Sequence, residues 1–152
     1  MGTLDVRILE LPPMRVACAH GYCASPEEEA TKKIRTFMAV QELDFEQVRW
    51  FGFNNPDPSP GTPNYGYDVW ITVGPEVEPS AEVTIQDFAG GLYAVTRFKD
   101  LNNIGSVWQQ LVHWREDSPY QPGHHQWLEN LLVPPDTPIT EFVLDLYLPI
   151  AK

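Results

Sequence analysis

The chain repeats itself, and that repeat limits the folds open to it more than any other feature. Residues 6–20, VRILELPPMRVACAH, lie over residues 83–97, VTIQDFAGGLYAVTR, without a gap at an offset of 77. Val6 then meets Val83, Ile8 meets Ile85, Leu11 meets Phe88, Val16 meets Tyr93 and Ala17 meets Ala94. Few residues are identical, but the apolar positions coincide, as a duplicated packing pattern requires. Each copy reads as strand, turn, strand, with LPPM and FAGG as the turns. Proline presets φ there, and glycine admits conformations closed to other residues.

A helix follows in each copy. Ser25 suits the cap of the first, Pro26 its first turn, and Glu28 the far corner of a capping box. Glu27, Glu28 and Glu29 favour the positive end of the helix dipole, with Lys32, Lys33 and Arg35 further on. Ala30, Ile34, Phe37 and Met38 form one buried stripe. The same offset carries the first three onto Val107, Leu111 and Trp114, in a second stripe with Ile104 and Trp108. Trp114 is therefore expected in the core. Each copy closes with more strand, over 47–53 and 67–73 in the first and over 125–132 and 141–150 in the second. The last strands align at an offset of 75, Val69 to Leu144, so one copy carries a two-residue length change. The segment 54–63, NNPDPSPGTP, is a loop, because proline cannot donate to a sheet ladder, and 73–80 links the copies. The expected fold is α+β. It is a tandem pseudo-twofold repeat in which an antiparallel sheet carries two helices on one face. It fills 1–152 as a single domain, with repeat halves at about 1–75 and 80–152.

Composition narrows the function. The chain holds 10 basic and 21 acidic residues in 152, a net charge of −11. That balance argues against direct nucleic-acid binding, which needs clustered Lys and Arg. It suits a cationic ligand, or simply solubility. No apolar run reaches the roughly 18–20 residues of a membrane span. The start, MGTLDVRILELPP, is too acidic and its apolar run too short for a signal peptide. Cys18 and Cys23 lie five apart, a spacing that suits neither a zinc site nor a disulfide framework. The expectation is a soluble, reduced, cytoplasmic protein. His124 and His125 are adjacent and would point to opposite sides if extended, while His20 and His113 have no ligand partner at a recognisable spacing. No nucleophile-elbow, zinc-protease or phosphate-loop motif occurs. No metal and no cofactor is expected.

Strand alternation leaves a second sheet face to account for. Leu144, Leu146 and Leu148 form one side of the last strand, Asp145 and Tyr147 the other. In the matching strand Val69, Ile71 and Val73 face the core while Asp68, Trp70 and Thr72 point away. Trp127 and Glu129 share a side of their own strand. The side away from the helices is thus expected to carry Trp70, Trp127, Glu129, Asp145 and Tyr147. Solvated sheet faces carry Lys, Thr and Glu, and two tryptophans beside carboxylates point to a cavity or an interface.

Several segments together resemble the gyrase-inhibitor-like (GyrI-like) small-molecule-binding domain. They are VRILELPPMRVACAHGY, RWFGFNNPDPSPGTPNYGYDVWITV, FAGGLYAVTRFK, a helix ending in Trp, WLENLL and LDLYLPI. Together they span essentially the whole chain. The module also serves as the effector-binding domain of AraC-type and MerR-type multidrug-sensing regulators. The resemblance implies a tandem β-α-β-β repeat. It also implies a groove between the halves for hydrophobic, often cationic aromatic molecules, with a glutamate at its base and rings around it. Glu129 best matches that glutamate, and Tyr147 the aromatic of the terminal strand. Some free-standing relatives are implied to hydrolyse cyclopropane-containing genotoxic compounds with the same glutamate. The chain departs from the regulators in having no helix-turn-helix segment before or after the domain, so it is not expected to bind DNA alone.

The site residues expected from these readings are Glu129, Trp70, Trp127, Tyr147, Asp145, Phe53, Tyr67 and Trp108. Glu129 would pair a cation or act as a general base, or else is a solvated strand-edge glutamate. Rings at 70, 127 and 147 would stack on a flat cation, or else pack or form a dimer interface. Phe51, Phe53, Tyr67, Tyr93 and Trp108 are weaker wall candidates, most of them core. Asp145 would add a second carboxylate, or is a surface aspartate bonded to the sheet edge. Three functions remain open. The first is a stand-alone sensor or sequestering protein for aromatic cations. The second is a cyclopropanoid hydrolase with Glu129 as its catalytic residue. The third is a module that contacts a protein partner in the gyrase-inhibitor manner. An open sheet edge also permits a homodimer.

Overall fold

The two strand–turn–strand segments of the repeat exchange partners instead of closing as hairpins. The computed structural model describes residues 4–152, so the first three residues of the N-terminal segment read above lie outside the described residues. Strand β1 (Val6–Leu11) pairs with β6 (Gly91–Lys99), and β2 (Met14–Cys23) pairs with β5 (Val83–Phe88), both antiparallel. Only Pro12 and Pro13 join β1 to β2. A two-residue hairpin needs positive φ that proline cannot adopt, so β1 and β2 each pair with a strand of the other copy instead of with each other. In the matching linker Gly90 has φ 84°, and a Cβ there would lie 2.2 Å from the Leu11 carbonyl oxygen. Glycine is required at that position on both counts. The compact units of the fold therefore cut across the repeat: one is Met14–Phe88, the other joins the segment ending at Pro13 to Ala89–Lys152.

In the Met14–Phe88 unit the strand order is β3 (Trp50–Asn54), β4 (Tyr65–Thr72), β2, β5, with every pairing antiparallel. Helix α1 (Pro26–Val40) buries Pro26, Ala30, Ile34, Phe37 and Met38, the expected stripe. It lies on the side of Gly21, where a Cβ would sit 2.4 Å from the Pro26 carbonyl oxygen. Ala17, Ala19, Val69 and Ile71 share that side and are sealed from water. The expected cap does not form. Ser25 makes no capping hydrogen bond, its backbone (φ −136°, ψ 63°) lying off the extended region that capping residues use. Glu29 instead accepts from the Tyr22 amide at 2.7 Å, tying the helix start to β2. The strand expected from residue 47 begins at Trp50, because Phe45–Gln47 is a 3-10 turn.

In the other unit the order is β1, β6, β9 (Val143–Ala151), β8 (Leu128–Leu131), and the short β7 (Gln121–Pro122) pairs with the end of β9. Helix α2 (Ile104–Glu116) buries Val107 and Leu111. Trp114 does not join them: it is part-exposed and stacks on Tyr120, with centroids 6.2 Å apart and planes at 23°. Tyr120, just past the helix, supplies the cover that the repeat assigned to the core. Each unit is thus an antiparallel sheet with its own helix, an α+β fold. No helix of the described residues is long and apolar enough to cross a membrane.

Candidate functional site

Glu129 stands directly opposite Leu146 in the β8–β9 ladder. Residues paired across a ladder share a face, so Glu129 lies with Leu144, Leu146 and Leu148, on the side of α2. Trp108, in the second turn of α2, donates its indole Nε1–H to Glu129 Oε2 across a long 3.4 Å. Trp127, just before β8, is 40% exposed, and its ring lies 5.3 Å from that of Trp108 with the planes at 43°. Arg115 is seven residues, or two turns, beyond Trp108. Its guanidinium sits 5.7 Å from the Trp127 centroid, and its Nη1 donates to the Pro149 carbonyl at 3.0 Å. The cluster offers a carboxylate, two indoles and a demonstration that one ring face accepts a planar cation.

The other expected residues fall elsewhere. Asp145 and Tyr147 lie on the opposite face from Glu129, with Asn130 and Leu128. The five residues expected on one face therefore do not share it. A one-residue change of register turns every side chain over, and alternation within β8 alone did not fix its register on β9. Asp145 is 3% exposed, and its charge is met by two arginines. Arg97 binds it through Nε at 2.9 Å and Nη2 at 3.2 Å, and Arg7 through Nη2 at 3.1 Å. The hydrogen bond and the charge of Asp145 push the Arg97 guanidinium further up. Tyr147 is buried with its ring edge-on to Tyr93, 5.3 Å away. Burial pushes the Tyr93 phenol up, and that hydroxyl donates to the Gln126 carbonyl.

Trp70 does point away from α1, as expected, but it is packed rather than exposed. It lies edge-on to Phe53 at 4.9 Å and against Phe88 at 5.2 Å, and its Nε1 is buried with no hydrogen-bond partner. Tyr67 alternates to the α1 side, where its hydroxyl fills the space left by Gly52. A Cβ on Gly52 would meet that oxygen at 2.1 Å. Glu129, Trp127 and Trp108 are thus brought together in one unit, and Trp70 with Phe53 in the other. Sequence reasoning missed Arg115, for which the seven-residue spacing from Trp108 was the available signal. It also missed the arginines on Asp145.

Cys18 faces the same side as Trp70 and is buried. Burial first, then the charge of Asp68, pushes its thiol from an ordinary 9.0 up to about 11. The unfolded chain loses this proton near pH 9 and the folded chain near 11. The associated stability is therefore complete below pH 9 and is lost as pH rises to 11, about 2–3 kcal/mol in all. Tyr65, pushed up to about 12 by burial and by its bond to Glu27, adds a later loss. Urea unfolding of Cys18→Ala from pH 8 to 10 is expected to show a flatter decline than the natural chain. Equal slopes would contradict the burial of the thiol.

The family model described as Cass2, integron-associated effector binding protein, matches residues 7–150. Among solved structures, the chain is similar to EcmrR in an EcmrR–DNA complex, with 13% identity and a TM-score of 0.75. That match covers 97% of this chain and 57% of EcmrR. It is also similar to a hydrolase from Listeria innocua, with 10% identity, a TM-score of 0.70, and coverage of 99% and 94%. A third is SAV2435 bound to tetraphenylphosphonium, with 10% identity, a TM-score of 0.61, and coverage of 97% and 94%. At these identities the similarity shows a shared fold. No curated protein matches the chain in sequence.

Proposed function

Because the chain belongs to the integron-associated effector binding protein family, we propose that it binds hydrophobic, cationic aromatic small molecules as a sensor or sequestering protein. Glu129 supplies the counter-charge, and Trp108 and Trp127 supply the flat surfaces. The observation that carries this reading is the cluster itself: a carboxylate held by one indole beside a second, part-exposed indole that already accepts a guanidinium. A lipophilic cation would take the place of Arg115 over the ring and gain the carboxylate as well. The tetraphenylphosphonium on SAV2435 makes that ion the natural probe.

Calorimetric titration with tetraphenylphosphonium and with neutral triphenylphosphine oxide tests the proposal. Glu129→Gln is expected to weaken the cation about tenfold, near 1.4 kcal/mol, and to leave the neutral compound unchanged. Trp127→Ala is expected to weaken both. Equal affinities of the natural chain and Glu129→Gln for the cation would overturn the assignment. A hydrolase reading has one observation in its favour, the partly exposed Glu129 with its orientation held by Trp108. Glu129 would then draw a proton from water attacking a strained ring. Mass spectrometry of the same mixtures with a cyclopropane-containing compound distinguishes the two, since only turnover adds water to the compound.

A further inference from the structure

His20 on β2 lies across from Asp68 on β4, on the side away from α1. Asp68 is buried, and both its oxygens are engaged: Oδ1 meets His20 Nδ1, and Oδ2 accepts from Asn55 Nδ2 at 3.1 Å. A carboxylate can only accept, so in the neutral ring the proton sits on Nδ1 and the lone pair on Nε2. The His20 side chain is 49% exposed against 10% for that of Asp68, which turns the far edge of the ring to water. The backbone beneath is held firmly. Strand β2 is paired at His20 with β4, its pairing with β5 ending one residue earlier at Ala19, and Lys33 Nζ donates to the His20 carbonyl at 2.8 Å.

A buried carboxylate, an imidazole in one tautomer and an open Nε2 are the base and orienting members of a hydrolytic triad. The usual third member is not supplied by Cys18, two residues back on the same face, whose thiol is buried and pushed up to about 11. The nucleophile left is the imidazole nitrogen. A lysine or arginine would tie β2 to β4 through Asp68 equally well, whereas imidazole alone presents a lone pair outward. We propose that His20 is a second reactive centre, a nucleophilic imidazole positioned by Asp68 that takes acyl groups from activated esters. Nε2 attacks the ester carbonyl carbon, the carbon–oxygen bond breaks, and the phenolate leaves with its electron pair. Asp68 steadies the Nδ1 proton while positive charge develops on the ring. Water then adds to the acyl carbon and the carbon–nitrogen bond breaks. A carboxylate and two protons are released, one proton matching the carboxylate and the other the phenolate released earlier, and the Nε2 lone pair returns. The balance is ester plus water to acid plus phenol.

The test uses two electrophiles on the intact chain at pH 8. Diethyl pyrocarbonate modification is followed residue by residue by mass spectrometry, with the exposed His113 and His124 as internal standards, and p-nitrophenyl acetate hydrolysis is followed by absorbance. His20 is expected to react several-fold faster than His124, and Asp68→Asn to slow His20 about tenfold while leaving His124 unchanged. Ester hydrolysis is expected to fall about tenfold in His20→Gln. His20 reacting no faster than His124 in the natural chain overturns the proposal, whatever the variants do. So does ester hydrolysis that survives His20→Gln.

Discussion

Leu146→Ala is expected to lower the unfolding free energy by about 3–4 kcal/mol and to weaken cation binding as well. Leu146 is sealed from water in β9, which has β6 on one side and β8 on the other. Leu144 and Leu148 flank it on the same face and are themselves buried. Alanine removes the side chain from a place where paired backbones cannot close in, so the void persists and its lining loses packing contacts. Glu129 is the cross-strand partner of Leu146. A void beneath that pair loosens the carboxylate, so affinity falls although Leu146 touches no ligand. Urea unfolding gives the first effect, with the midpoint moving and the slope unchanged. Calorimetry with tetraphenylphosphonium gives the second. Ile8→Ala, at a part-exposed position on β1, is the control and is expected to cost under about 1 kcal/mol. Similar costs for the two would contradict the placement of the core.

What could be read from the residues was whatever alternation or helical spacing decides within one element. Val69 and Ile71 face α1 while Asp68 and Trp70 turn away, because a strand has only two sides and the apolar set picks one. The α1 stripe was legible for the same reason at helical period. So was the α+β antiparallel class, and the family match over 7–150 agrees with the effector-binding character implied by the resemblance. What depends on a partner strand was not legible. Nothing inside WLENLL states that Glu129 meets Leu146 rather than its neighbour, and that single step moved Glu129 to the other face from Asp145 and Tyr147. The strand exchange hid for a similar reason: the Pro12–Pro13 link was readable as a turn, but its direction was set by β6. The counter-ions of Asp145 come from β1 and β6, far away in the chain. No local pattern announces them.

Those counter-ions carry the other large expected effect. Arg7→Met with Arg97→Met is expected to destabilise the chain by about 3–5 kcal/mol. It leaves the Asp145 carboxylate, 3% exposed, with neither of its guanidinium partners. Either change alone should cost nearer 1 kcal/mol, because each arginine is about half exposed and the remaining one still neutralises the acid. Adding Asp145→Leu to the double variant should recover most of the loss, since the cost comes from an unpaired buried charge and not from missing attraction. The thermodynamic cycle among these variants, measured by urea unfolding, separates the two causes. If the triple variant is no more stable than the double, the arginines act by packing their stems rather than by charge. The same variants bear on the site. An aspartate already neutralised by two guanidinium groups has little field left for a ligand cation. Asp145→Asn should therefore leave tetraphenylphosphonium affinity within about twofold, while Glu129→Gln does not. The two carboxylates look alike in the sequence, and what separates their roles is that Asp145 is matched to two arginines within the sheet, whereas Glu129 accepts from the Trp108 indole on the side of α2.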